Sequence, residues 1–113
     1  SFTRQWFRLL SQGLFQQAVS CLDEPNSYGE LWSEKQIRDV LLDYTNSAAA
    51  VVIDPDLLKG DGEPHLGEFN DGSGFWFEMN LPLNGGWSDL TVQFEFRHHS
   101  NKFAVILHDI HVL

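Results

Sequence analysis

The side chains with most capacity for chemistry in this 113-residue chain are five histidines and sixteen acids. His98, His99, His108 and His111 gather near the C-terminus. A zinc site needs three or four ligands converging on one point. Adjacent His98 and His99 project to opposite sides of an extended chain, and so do His108 and His111, three residues apart. Asp109 and His111 share a face, which supplies two ligands, and solvated histidines in a polar turn account for His98 and His99. No metal or other cofactor is expected. The Asp109/His111 pair has a second reading as an acid–base pair, with the carboxylate orienting the imidazole. It has a third, in which Asp109 ties down a neighbouring backbone donor, the commonest use of a polar side chain.

Other catalytic patterns are missing from the sequence. No Gly-x-Ser-x-Gly elbow is present. Gly72-Ser73-Gly74 leads into a strand pattern rather than a helix, so it does not read as a phosphate loop. Asp54 and Asp56 could open a calcium loop, but Leu58 takes the next ligand position and Lys59 the required glycine. Cys21, the single cysteine, excludes an internal disulfide and reads as a small apolar residue on a helix. No catalytic residue is assigned.

Charge is the stronger signal. The net charge is -9. Residues 1–22 hold Arg4 and Arg8 and no acid, whereas residues 54–71 hold Asp54, Asp56, Asp61, Glu63, Glu68 and Asp71 against Lys59 alone. Phosphate contacts need Lys and Arg, so neither nucleic acid nor an anionic membrane is an expected partner. A basic protein is, through charge complementarity; acidic loops also serve solubility alone. The expected partner surface comprises those six acids with Trp76 and Glu78, Trp76 acting as an interface anchor. The same indole also suits a satellite core beneath the long acidic loop. No apolar run reaches membrane-spanning length. No leader pattern is visible, although a start at Ser1 rather than Met is compatible with trimming, and cytoplasm is the expected compartment.

The elements that must carry these residues follow from periodicity. Phe2, Trp6, Leu9, Leu10, Leu14, Val19 and Leu22 recur at spacings of three and four, predicting one amphipathic helix over 2–22 with a weak point at Gly13. A second helix starts at the Ser33 N-cap, where Gln36 completes a capping box and Trp32 with Ile37 forms a hydrophobic staple. Its expected buried stripe is Ile37, Val40, Leu41 and Tyr44, and Asn46-Ser47 stops it. Ala48 to Ile53 reads as a covered strand. Asp54 to Gly74 reads as a long loop, functional or mobile, with a short strand near Leu66–Phe69. Phe75, Phe77, Met79 and Leu81 alternate with Trp76, Glu78 and Asn80. After a turn at Asn84-Gly85, Leu90, Val92, Phe94 and Phe96 alternate with Thr91, Gln93, Glu95 and Arg97. Phe103 to Leu107 is apolar throughout, predicting a strand that is central or covered on both faces.

This order predicts a single α+β domain, with two N-terminal helices packed on one face of a curved antiparallel sheet. It resembles the nuclear-transport-factor-2-like and ketosteroid-isomerase-like superfamily, or a cystatin-like relative, in element order. The segment Trp87-Ser88-Asp89-Leu90-Thr91, with the terminal Asp109-Ile110-His111-Val112-Leu113, resembles the ending of an uncharacterised family of small bacterial proteins. In size and charge the chain is similar to bacterial immunity proteins that neutralise secreted toxins. The acidic excess and the missing catalytic motif favour a non-enzymatic domain that masks a basic toxin surface, such as a nuclease cleft. The alternative is an isomerase-like enzyme or small-ligand carrier with Asp109 or His111 in a pocket between helices and sheet. A structural module that dimerises through its sheet is a third reading; the sequence leaves the oligomeric state open.

Overall fold

The computed structural model describes residues 1–47 and 49–113. Three helices, α1 (Phe2–Ser11), α2 (Phe15–Ser20) and α3 (Glu34–Thr45), precede four strands, β1 (His65–Glu68), β2 (Gly74–Leu83), β3 (Gly86–His99) and β4 (Lys102–Val112). The strands form one antiparallel meander in the order β1-β2-β3-β4. The helices pack on one face of this sheet, giving the α+β architecture expected from the sequence.

The expected helix over 2–22 is two helices. Gly13 adopts φ +75°, and its N–H bonds the carbonyl of Leu10 while that of Leu14 reaches back to Leu9 at 2.9 Å. This pair of bonds is a glycine-terminated helix end, which satisfies the last carbonyls of α1 and turns the chain. The Trp6 indole N–H then donates to the Ala18 carbonyl at 2.9 Å and holds α2 against α1.

α3 begins as its sequence signals. Gln36 N–H donates to Ser33 Oγ, and Ser33 N–H donates to Gln36 Oε1 at 2.9 Å. Two first-turn donors are thereby satisfied reciprocally. Asn46 closes the helix at φ 54°, in the left-handed region. Ile37 and Leu41 are buried as expected, but Val40 is half-buried and Tyr44 is exposed, donating its hydroxyl to Asp89 across the surface.

The core lies between helices and sheet. Phe94 is wholly buried and meets Phe2 and Trp6 edge-on at 5.2 and 5.1 Å. Phe75 stacks on Phe96 at 4.8 Å on the same face. Met79, Leu81, Leu90, Val92, Leu107 and Ile110 complete it with Phe7, Leu10, Ile37 and Leu41. Close aromatic packing of this kind leaves that space filled.

One strand expectation changes, and another is met in the second of its two forms. In the run from Ala48 to Ile53, Ala48 lies outside the described residues, and the rest forms only an isolated bridge, Val52 to Leu83. Ile53 N–H donates to the Pro82 carbonyl, but proline has no N–H to return, so the ladder stops. The apolar run in β4 is not central. β4 is an edge strand covered on both faces: Val105 and Leu107 face the core, while Ala104 and Ile106 are buried outside that cluster. The α2–α3 connection runs along this edge, with Val105 N–H donating to Asp23 Oδ2 and Asp23 N–H to the Val105 carbonyl, both at 2.8 Å.

The Gly13 geometry makes a prediction whose sign separates one helix from two. In a continuous helix Gly13→Ala would stabilise by about 1 kcal/mol. At φ +75°, with open space around the added Cβ, it should instead destabilise by about 1 kcal/mol. Urea unfolding gives the sign directly.

Candidate functional site

Most acids of the 54–71 stretch are tied into local structure. Asp54 caps a 3-10 turn at Pro55–Leu57 that contains Asp56, and Asp54 Oδ1 accepts the Asp56 N–H at 3.0 Å. Both carboxylates face α1. Asp56 takes Arg4 at 3.0 Å and Arg8 at 2.5 Å, and Asp54 lies 3.6 Å from Arg8. The two arginines of the acid-free N-terminal segment are thus committed to pinning this turn. Asp61 accepts the Glu63 N–H, and Glu63 reaches Asn80 at the far end of β2. Glu68 pairs opposite Phe75. Asp71 accepts the Ser73 N–H in the β1–β2 turn. Asp54, Asp56, Asp61 and Asp71 are thus each held by a local turn or ion pair.

Trp76 and Glu78 do come together, on the sheet face opposite the helices. Pairing across the strands sets Trp76 beside Glu95, and Glu78 beside both His65 and Gln93. Trp76 lies flat over Gly67, where an added Cβ would sit 2.3 Å from the indole. The indole rests against β1 because that residue has no side chain. Phe69 stands nearby, with the Arg97 guanidinium 3.7 Å above its ring. Arg97 also donates twice to Glu95 Oε1, at 2.9 and 3.1 Å, and once to Ser73 Oγ. Its charge is spent within the chain.

A bulge completes the site. The β3–β4 register shifts between Gln93 and Phe94, so Gln93 opposes Asp109 and Phe94 opposes Leu107. His108 is the extra residue. Its ring stacks with Tyr28 at 5.8 Å, its Nδ1 lies 3.4 Å from Glu95 Oε2 without hydrogen-bond geometry, and its carbonyl accepts from Asn26. Phe69, Trp76, Glu78, Gln93, Glu95 and His108 line an open cleft of about 270 Å³. On its floor Gln93 Nε2 donates to Glu78 Oε2 at 2.7 Å. This floor presents carboxylate and amide oxygen, with the second Gln93 amide N–H and the Trp76 indole N–H beside them.

The Asp109/His111 pair lies on this outer face too, away from the core residue Ile110 between them. His111 Nδ1 is 2.7 Å from Asp109 Oδ2, while Asp109 Oδ1 accepts the Ile110 N–H at 2.8 Å. One oxygen thus contacts the ring nitrogen and the other holds backbone, as the third reading expects. Neither residue borders the space between helices and sheet. Elsewhere His99 pairs with Glu24 at 2.7 Å, and His98 packs on Phe103. Among the described residues no three His, Cys, Asp or Glu side chains converge as metal ligands. No helix among them is long and apolar enough to cross a membrane.

The sequence gives Gln93 and Glu95 only a strand face, and His108 only a place among four histidines weighed for zinc. The alternation of β3 signals that Gln93 and Glu95 share a face, but their meeting with Trp76 depends on register. His108 depends on a bulge that no local residue pattern announces.

Two outcomes are expected here. Gly67→Ala should displace the indole of Trp76, altering fluorescence and near-ultraviolet dichroism and costing about 1–3 kcal/mol; unchanged spectra would show that the indole does not rest there. The Asp56 carboxyl is held below its ordinary value of 3.8 by hydrogen bonds from Arg4, then from Arg8. A depressed folded value means the contribution is complete above pH 3.8 and is lost as pH falls through that lower value. Asp56→Asn should therefore lower the urea midpoint at neutral pH and match the parent chain in strong acid. An equal gap at both would contradict the pairing.

Comparison with known proteins gives a family and nothing further. No curated protein and no solved structure matches the chain. Residues 7–113 match the family model described as Domain of unknown function (DUF7668). The chain, with the meander and its outer-face cleft, belongs to that family.

Proposed function

We propose that this chain is a non-enzymatic domain that binds a basic protein, and that it does so through the outer face of its sheet. The observation that carries this reading is the cleft between Trp76 and His108, where Glu78 and Glu95 stand beside an aromatic wall. The net charge of -9 supports it by favouring encounter with a positively charged surface. A bacterial toxin-immunity role, exercised in the cytoplasm against a basic nuclease-like surface, is its most specific form. The six loop acids then act as a general field around the molecule, with Trp76 and Glu78 as the part that touches. Element order keeps the nuclear-transport-factor-2-like or cystatin-like comparison within this reading as an architectural analogy.

A small-ligand or isomerase-like reading draws on one specific observation, the formed Asp109–His111 pair. It would have to use the outer face, since the helix–sheet space is occupied by Trp6, Phe7 and Phe94.

Coexpression with the protein encoded in the adjacent reading frame, followed by calorimetric titration, tests the binding role. A basic partner should bind, with affinity falling by roughly tenfold or more between low and high salt as charges are screened. An acidic neighbour, no association, or binding indifferent to salt would remove the proposal.

A further inference from the structure

We infer that the outer-face cleft is a receptor for a single arginine side chain, the anchor by which a basic partner is held. This rests on the basic-partner reading and names the group that the site takes.

The argument is one of donor and acceptor supply. Glu78 Oε2 receives the Gln93 amide N–H, which leaves the other carboxylate oxygen and the Gln93 Oε1 as acceptors on the cleft floor. Glu95 contributes a third acceptor in Oε2, because both Arg97 bonds fall on its Oε1. Arg97 has its Nε, Nη1 and Nη2 engaged with Glu95 and Ser73, and its plane covers Phe69. With the Glu78 carboxylate facing no cation of its own among the described residues and Arg97 already paired with Glu95, the cleft favours a ligand group that brings donors and a positive charge. Guanidinium meets this description, with five N–H donors and no acceptor. Anions meet two carboxylates there and are disfavoured.

Shape narrows the choice between arginine and lysine. The cleft has an indole on one side and the His108 ring on the other, with room of about 270 Å³. A planar guanidinium can lie on an indole face while its edge meets a carboxylate, an arrangement unavailable to a compact ammonium. The Arg97 group over Phe69, bonded at its edge to Glu95, already performs this within the chain.

The test uses the full chain and capped amino acids as probes: N-acetyl-arginine amide, N-acetyl-lysine amide and N-acetyl-norleucine amide. Nitrogen–proton correlation spectra follow the Trp76 indole N–H and the Gln93 side-chain amide. Saturable shifts at these groups are expected with capped arginine, with affinity several-fold weaker for capped lysine and no saturation with norleucine. Glu78→Gln should weaken capped arginine at least tenfold with the fold intact. Asp43→Asn, which removes the same charge from the exposed face of α3, should leave it unchanged. Absence of saturation, equal response to norleucine, or equal loss in both variants overturns the inference. The two readings also fail separately. A basic partner bound equally by parent and Glu78→Gln removes the anchor and leaves the binding role. Capped arginine docking without any basic protein partner removes the role and leaves the pocket.

Discussion

Everything in this molecule depends on the one-sided burial of its sheet. Phe94 sits at the centre of β3 and is covered by Phe2 and Trp6 from α1, while Phe75 and Phe96 extend the same layer. Burying an aromatic side chain contributes on the order of 2–3 kcal/mol, and edge-on ring pairs add to that. All three helices are drawn to this layer, directly or through one another. The opposite face is left without a helical cover, and alternation along β2 and β3 makes it polar. A site on the outer face is thus the geometric complement of the core.

That outer face is also where the charges of the chain are most ordered. Glu95 is held at one oxygen by two Arg97 bonds and lies against His108, and Glu78 is steadied by Gln93. By contrast, the acids at 54, 56, 61 and 71 each serve a turn or an ion pair. Exposed pairs of that sort are worth little in stability. They position loops: Arg4 and Arg8 hold the Pro55–Leu57 turn against α1, and the Trp87 indole N–H catches the Lys59 carbonyl at 2.7 Å. A long acidic connection is fixed in this way without a hydrophobic interior of its own.

Local signals proved readable wherever short-range physics decides the outcome. The Ser33/Gln36 box starts α3, Asn84-Gly85 makes the two-residue turn with positive φ at both positions, and the Phe/Val alternation of β3 gives its faces. Gly13 was visible as a weak point, but whether a glycine merely weakens a helix or ends it depends on which carbonyls its neighbours can reach. The run before Asp54 has strand composition, yet its partner edge carries Pro82, so tertiary context cancels the local preference. The site itself was half legible. Trp76 and Glu78 share a face by simple alternation, whereas Glu95 and His108 join them only through strand register and the shift at Gln93/Phe94. Charge counts along the chain mark an acidic stretch, but which way its successive turns point is set by tertiary contacts.

The Asp23–Val105 exchange has a further meaning for life at high concentration. An open sheet has two rims, each a template on which another chain can add a strand. Here the later rim is occupied for part of its length by the chain's own backbone and the Asp23 carboxylate, with Asn26 engaging the next carbonyl along. The earlier rim is only four residues long and carries a histidine, a glycine and a glutamate in that span. Self-templating is thereby discouraged at both ends of the sheet, by occupation at one and by brevity at the other.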